Sequence, residues 1–357
     1  MRQPRAVQRF RAATSRTDRG SLTPPDPLVP QLGPPRLASP HLDLPEWRAA
    51  SDDAVRVTAD IDAWAHSAAL SELVAVFGGS PSDGADMDAL DAFSARLWEF
   101  RAGRERDQSA ERQLTTEQIT AVATHSAVLG LAGRESPRRR HYDAVILTGG
   151  MVRAGIVKPR FAVELMAQGI RFNRVVFLGA HRPFSPEECL LARTLGVPGD
   201  DEVSGMLEGV RRAFHLGDPS DVTISPERSG PAAWGRWRWA HVEPAVEVVA
   251  AASADPAHRR ANTADTCRFW ADRHADDTRS VLVVTTPIYV PYQSAVAVET
   301  LGLGAGMTVE TVGVSATASD LGASTQPFTA RHHLQELRSA IRGMASLRRA
   351  VQSRSPS

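Results

Sequence analysis

The chain has 357 residues, with 41 basic and 41 acidic side chains, so its formal net charge is zero. This balance argues against a general nucleic-acid binder, which needs a basic surplus to neutralise phosphates. The sequence contains no run of about 20 apolar residues, so it predicts no membrane span.

The two cysteines, Cys189 and Cys267, cannot form a disulfide framework, and this favours a reducing, cytoplasmic location. Lys158 is the only lysine, because the other 40 basic residues are arginine. We attribute this bias to a GC-rich, actinobacterial-type coding composition and give it no mechanistic weight.

Residues 1–45 contain nine prolines and seven arginines and few large apolar side chains. Such a segment cannot bury enough apolar surface to offset the entropy of ordering it, so we predict a disordered tail. A mitochondrial-type presequence is the alternative for an arginine-rich, acid-poor start. The proline density opposes the amphipathic helix that a presequence needs.

Residues 46–135 are helical in pattern and contain no convincing strand. Apolar residues at helical spacing predict helices over about 60–77, 87–101 and 115–131. Gly78 and Gly79 end the first of these, and Thr115 with Gln118 is a plausible capping start for the third. We therefore predict a separate helical region before the remainder of the chain.

Residues 142–351 alternate short apolar runs with helical segments. The runs lie at 143–148, 174–179, 245–250, 280–285 and 308–314. They are continuously apolar, which is typical of parallel strands buried on both faces. The predicted fold class is α/β, Rossmann-like, with a mostly parallel five-stranded sheet and helices on both faces.

Residues 199–241 interrupt this alternation and are interpreted as an insertion with one helix. The insertion carries Trp234, Trp237 and Trp239 among arginines. Such a cluster can stack a base, but it is more often a packing anchor, and we favour the anchor.

Polar or glycine-rich turns follow four of the predicted strands. They contain Gly149 and Gly150, then His181 and Arg182, then Arg259, Arg260, Asn262 and Thr263, and finally Tyr289. In an open parallel sheet, ligands bind beyond the carboxyl ends of the strands. The four turns therefore predict a ligand site at one edge of the sheet.

Each of these turns also has a structural interpretation. The glycine pair fits neither a dinucleotide fingerprint nor a Walker A loop, and a tight turn alone explains it equally well. Arg160 and Glu164 form either a surface pair or, through Arg160 at a helix start, an anion contact. Lys158 lies two residues before Arg160 and is a further candidate for that contact.

The segment from Arg259 to Asp265 precedes and opens a predicted helix. Capping explains Asn262 or Thr263 and the acidic Asp265. Capping does not explain two arginines before a helix start, which is a place suited to phosphate or carboxylate. Metal binding is not predicted, because the eleven histidines show neither H-x-H nor H-E-x-x-H spacing.

The order of motifs over about 142–315 resembles the bacterial YdcF/SanA/ElyC-type family. The motifs are Asp143 to Gly150, Arg160, Phe177 to Gly179, Glu187 and Glu188, Gly196 to Pro198, Asn262 to Thr266, Val283 to Thr286, and Gly302. The resemblance implies a Rossmann-like fold, a ligand cleft at the strand ends, and S-adenosylmethionine as one possible cofactor; other members are linked to envelope integrity. It places Gly149, Gly150, Arg160, Glu188, Asn262 and Thr263 at that cleft.

The sequence departs from the family pattern in two places. Tyr289 and Tyr292, with Gln293 next, stand where the family usually has a histidine and an arginine. His181 and Arg182 follow the second strand in place of a double glycine.

The predicted function is a cytoplasmic enzyme that hydrolyses or transfers a group on a nucleotide-like or phosphorylated small molecule. Glu188 or His181 would transfer the proton. The predicted ligand-binding residues are Gly149, Gly150, Lys158, Arg160, Arg182, Arg259, Arg260, Asn262, Thr263, Tyr289 and Gln293. The alternative function is a non-catalytic ligand sensor or scaffold, linked to envelope or biosynthetic regulation. It would engage a protein through the N-terminal helices, the tryptophan-bearing insertion and the tail.

Overall fold

A computed structural model describes residues 42–84, 86–99 and 113–354. The strands are β1 (His141–Thr148), β2 (Arg171–Gly179), β3 (Asp221–Ile224), β4 (Gly235–Trp239), β5 (Ala245–Ala250), β6 (Ser280–Thr285) and β7 (Thr308–Gly313). The helices are α1 (Asp53–Ala65), α2 (Ala68–Val76), α3 (Met87–Leu97), α4 (Thr116–Val128), α5 (Val152–Ala167), α6 (Pro186–Thr194), α7 (Glu202–Ala213), α8 (Thr263–His274), α9 (Val290–Ala297), α10 (Ala316–Ser319) and α11 (Ala330–Arg354). A π-helix, Val298–Leu303, continues α9.

The strands form one sheet in the order β3-β4-β5-β2-β1-β6-β7. The five strands that the sequence predicts are all present and pair in parallel with one another. The predicted five-stranded sheet is nevertheless wrong, because β4 pairs antiparallel with β5 and β3 antiparallel with β4. The α/β class is confirmed, with a mixed seven-stranded sheet.

The two additional strands come from the predicted insertion. In β4, arginine and tryptophan alternate, which is the period of a strand with one buried face. Trp239 is buried and its indole N–H donates to the carbonyl of Gly217 at 3.0 Å, so it anchors the edge of the sheet. We explained the tryptophans by packing alone and missed the strand that presents them.

Helices cover both faces of the sheet. Along β1, Val145 and Leu147 pack with α5 and α7, whereas Ala144 and Ile146 pack on the opposite face with α8, α9 and α11. Successive residues of a strand face opposite sides of the sheet, so a strand covered on both sides has apolar residues at successive positions. This explains the continuous apolar runs in the sequence.

The N-terminal helices share their core with the sheet. Trp64 of α1, Leu70 of α2 and Phe93 of α3 belong to the same buried cluster as Leu337 of α11 and Val309 of β7. The predicted capping start of α4 is confirmed, since Thr115 and Gln118 form a reciprocal capping box. The first predicted helix is two helices, because Ser67 caps the start of α2 by accepting from the backbone N–H of Leu70.

The segment 42–48 packs against this core. The backbone N–H of Leu42 donates to the carbonyl of Val128 at 3.1 Å, and Pro45 is buried. Trp47 forms an isolated antiparallel bridge with Val309 of β7. The predicted end of the tail at residue 45 is therefore too late, and residues 1–41 lie outside the described residues.

His274 is buried on the α8 side of the sheet, and we expect its protonation to make the stability of the fold depend on pH. His274 Nδ1 lies 2.6 Å from an Arg174 guanidinium nitrogen, and His274 Nε2 lies 3.5 Å from the Glu247 carboxylate. Burial, followed by the charge of Arg174, lowers the pKa of His274 to about 4. The folded protein therefore disfavours protonation of this ring.

We expect His274→Asn to lessen the loss of stability on acidification. The unfolded chain takes up a proton on this histidine near pH 6.5, whereas the folded chain resists until about pH 4. The neutral His274 ring therefore stabilises the folded state above about pH 6.5, and this stabilisation is lost as the pH falls. Between pH 7 and 4.5 the wild type should lose about 2 kcal/mol more unfolding free energy than the variant, in urea unfolding. Equal losses would contradict this role for His274.

Candidate functional site

A cleft lies beyond the carboxyl ends of β1, β6 and β7. Its lining includes Gly149, Gly150, Arg153, Lys158, Thr286, Tyr289 and Phe328. The cleft lies where the strand order reverses, because β1 has β2 on one side and β6 on the other.

Lys158 lies beneath the glycine turn at the floor of this cleft and is 1% exposed. Its Nζ donates to the Thr148 carbonyl at 2.5 Å, to the Thr148 hydroxyl at 2.8 Å and to the Gly149 carbonyl at 3.1 Å. The sequence placed Lys158 at a helix start, but α5 begins at Val152 and contains Pro159 in its interior. Lys158 therefore reaches back from the second turn of α5, fixes the glycine turn and brings a positive charge to the cleft.

The glycine turn is built around Glu202, a residue that the sequence assigned only to the start of a helix. The Glu202 carboxylate accepts the Gly150 N–H at 2.7 Å. A Cβ atom on Gly149 would lie 2.2 Å from the same carboxylate oxygen, and one on Gly179 would lie 2.9 Å from it. The Gly150 N–H that we expected to contact a ligand thus already has an acceptor, and the glycines make room for the carboxylate.

Arg182 joins two buried carboxylates behind this turn. Its guanidinium donates to both oxygens of Glu188, at 2.7 and 2.8 Å, and to Glu202 at 3.3 Å. A further bond reaches the Gly150 carbonyl at 3.2 Å. Arg182 therefore holds the glycine turn in place together with Glu202.

The pKa values of the two carboxyl groups shift in opposite directions. Burial acts to raise the pKa of Glu188, but hydrogen bonds from Arg182 and Ser185 outweigh it and hold that pKa below its ordinary value. Burial raises the pKa of Glu202, against the charge of Arg182. Glu188 also closes the capping box of α6 with Ser185. It is ionised and fully engaged, a poor state for the predicted proton transfer.

His181, the other predicted proton-transfer residue, lies away from the cleft lining. Its ring packs edge-on against Trp237, with centroids 6.4 Å apart. Burial lowers the pKa of His181, so the ring is neutral at pH 7.

Two predicted arginines have structural partners. Arg160 is exposed on α5 and donates to the Asp320 carbonyl at 3.1 Å, and Glu164 accepts from the Ser315 hydroxyl at 2.6 Å. The predicted surface pair between them is not formed, since both side chains bind the segment that follows β7. Arg259 forms an ion pair with Asp265.

The remaining candidates lie around α8 and α9. Asn262 caps α8 through a capping box with Asp265, as the sequence predicts. The Thr263 hydroxyl accepts from the Gln293 amide at 3.2 Å. Tyr289 lines the cleft and packs edge-on against Phe328 at 6.4 Å. Arg260 is exposed, and its positive charge acts to lower the pKa of Glu188 and of Glu202.

The structure thus brings four predicted residues to one cleft, namely Gly149, Gly150, Lys158 and Tyr289. Arg153, Thr286 and Phe328 also line the cleft but were not among the predicted ligand-binding residues. Thr286 directly follows a predicted strand and had a usable signal. Phe328 lies in an irregular segment without a motif, and Arg153 gave no signal because the start of α5 was placed too late.

Over 42–84, 86–99 and 113–354, no group of three or more His, Cys, Asp or Glu side chains is arranged to hold a metal ion. Within the same ranges, none of the helices combines the length and the apolar character that a bilayer crossing requires.

Comparison with known proteins corrects the resemblance drawn from the motifs. Residues 48–130 match the family model described as the Rv3785 N-terminal domain. The chain is 28% identical over 327 residues to "Uncharacterized protein Rv3785" of Mycobacterium tuberculosis (strain ATCC 25618 / H37Rv), covering 82% of this chain and 90% of that protein. "Uncharacterized protein Mb3814" of Mycobacterium bovis is similar to the same extent.

No solved structure matches the chain. The resemblance to the YdcF/SanA/ElyC-type family is wrong, since the family model and the relatives are of the Rv3785 type. The expectation of S-adenosylmethionine came from that resemblance and loses its support. The chain is instead similar, over most of its length, to mycobacterial proteins of the Rv3785 type.

Proposed function

We propose that the protein binds a nucleotide-like or phosphorylated small molecule in the cleft at the carboxyl ends of β1, β6 and β7. The observation that carries the proposal is the buried ammonium of Lys158 at the floor of a mostly apolar cleft. A positive charge in such surroundings attracts an anionic group more strongly than it would in water. The order of the parallel strands, β5-β2-β1-β6-β7, supports a Rossmann-like arrangement with its ligand at this point.

The cleft offers complementary surfaces for the two parts of such a ligand. Lys158 and Arg153 supply positive charge beside the N-terminus of α5, whose dipole favours an anion. Tyr289 and Phe328 supply aromatic surface on which a flat ring can pack. The charged residues of the lining are both cationic, which supports an anionic ligand over a cationic one.

The proposed reaction is hydrolysis or group transfer, in the cytoplasm. A second candidate function, ligand sensing without turnover, is favoured by the engagement of Glu188 with Arg182 and Ser185. The two candidates differ in one measurement, because an enzyme consumes its ligand and a sensor releases it unchanged. Incubation with AMP and with ribose 5-phosphate, followed by ³¹P NMR, distinguishes them.

We expect Lys158→Met to weaken AMP binding about tenfold, because the variant loses the charge at the cleft floor. Arg160→Gln is the matched control, since it removes a cation from the same helix but outside the cleft, and it should change the affinity less than twofold. Isothermal titration of the folded variants measures both effects. The proposal fails if the wild type binds neither AMP nor ribose 5-phosphate, or if both variants lose affinity equally.

A further inference from the structure

The N-terminus of α8 lies in the segment from Arg259 to Asp265, which the sequence predicts to bind an anion. This segment does not line the cleft. The side-chain oxygen of Asn262 accepts the Asp265 N–H at 3.0 Å. The backbone carbonyl of Asn262 accepts the Thr266 N–H at 3.0 Å. Within the described part of the chain, the N–H groups of Thr263 and Ala264 have no acceptor. Two donors at the positive end of a twelve-residue helix are therefore available to a ligand.

Gln293 supplies a second, independent observation at the same place. It is 9% exposed, and its amide nitrogen donates to the Thr263 hydroxyl at 3.2 Å. Its amide oxygen is buried and has no donor among the described residues. Exchanging the amide oxygen and nitrogen would leave the nitrogen unpaired instead, so one polar atom lacks a partner in either orientation. Buried polar groups are almost always paired, so this amide points to a missing partner.

The surroundings define the chemistry of that partner. Thr263 and Ala264 are half-buried and Asn262 is exposed, so the helix end can be reached from solvent. Arg259 and Asp265 form an ion pair beside the helix start. The two backbone N–H groups require an acceptor oxygen, and the Gln293 carbonyl requires a donor. An oxyanion that carries a hydroxyl group satisfies both requirements.

We propose that the N-terminus of α8 and Gln293 form a second binding site, separate from the cleft, for a protonated oxyanion of the hydrogen-phosphate type. The Thr263 and Ala264 N–H groups bind its anionic oxygens. A ligand that approaches along Thr263 brings its hydroxyl to Gln293, which accepts that hydrogen bond. Sulfate has the same shape but carries no proton at pH 7, so the site distinguishes phosphate from sulfate.

The test uses the full chain and inorganic phosphate or sulfate as the probe, by isothermal titration at constant ionic strength. We expect phosphate to bind about tenfold more tightly than sulfate, the effect of one hydrogen bond. Gln293→Leu, which keeps the side-chain volume, should abolish that preference. Gln352→Leu, at an exposed position of α11, is the control and should retain it.

Thr263→Pro tests the helix end. Proline is tolerated at the first position of a helix, and Asn262 already has the extended backbone that precedes a proline. The substitution removes the Thr263 N–H group and also the hydroxyl that accepts from Gln293, so Thr263→Val, which removes the hydroxyl and keeps the N–H group, is its control. We expect Thr263→Pro to bind both anions more weakly than Thr263→Val. No phosphate binding by the wild type, or an equal affinity for phosphate and sulfate that neither variant alters, would overturn the site. Gln293→Leu should leave AMP binding in the cleft unchanged, so the failure of this proposal and the failure of the cleft proposal are distinguishable.

Discussion

Gly209→Ala should destabilise the protein by about 3 kcal/mol, the largest effect we expect from adding a single methyl group. A Cβ atom at this position of α7 would lie 1.8 Å from the carbonyl oxygen of Gly155 on α5. The neighbouring atom is backbone, so no side-chain rotation relieves the overlap and the two helices must separate. Val157 of α5 and Met206 of α7 would lose packing in the core beside the sheet.

Gly205→Ala is the matched control, one turn earlier on the same helix. Its Cβ would meet only the Phe184 ring at 3.4 Å, an ordinary contact. Alanine is the better helix former, so this variant should be neutral or stabilised by up to about 1 kcal/mol. Urea unfolding of both variants checks the prediction, and similar midpoints for the two would show that α5 and α7 do not approach so closely.

Arg182→Met should cost about 3–5 kcal/mol, because it leaves two buried carboxylates without their shared cation. Glu188 is 4% exposed and Glu202 is 8% exposed, so water cannot replace the guanidinium. The loss should be smaller at pH 5 than at pH 8. Burial raises the folded-state pKa of Glu202 above its unfolded value, so the protonated form that folding favours is lost as the pH rises.

The double variant Arg182→Met with Glu202→Gln should recover part of this loss. Glutamine can still accept the Gly150 N–H but carries no charge, so one uncompensated carboxylate disappears. A double-mutant cycle at pH 7 should give a coupling of about 1–3 kcal/mol between the two positions. Additive losses would mean that Arg182 acts on Glu188 alone.

The sequence predicted the parallel strands because a strand buried on both faces is recognisable without its neighbours. It also predicted the caps at Thr115 and Asn262, since capping depends on residues three positions apart. It missed β3, whose four residues are all exposed and give no burial pattern. A strand of this kind is defined by its partner, and the register with β4 is a long-range property.

The candidate site was predictable in place but not in detail. Gly149 and Gly150 marked the correct strand end, but their close approach to Glu202 spans about fifty residues of sequence. Lys158 was placed at a helix start, whereas α5 begins at Val152 and accommodates Pro159 in its interior. Contacts of this kind depend on how the elements assemble, which spacing along the chain does not encode.

The segment 42–48 has a consequence for how the sheet meets other chains. Trp47 bridges to Val309 and lies against Gly302, so it covers part of β7, one outer strand of the sheet. The opposite outer strand, β3, carries Val222 and Ile224 at 47% and 39% exposure. An uncovered outer strand is the usual point at which foreign strands add and aggregation begins. We expect removal of residues 42–48 to uncover the part of β7 that Trp47 contacts and to lower the solubility of the folded protein.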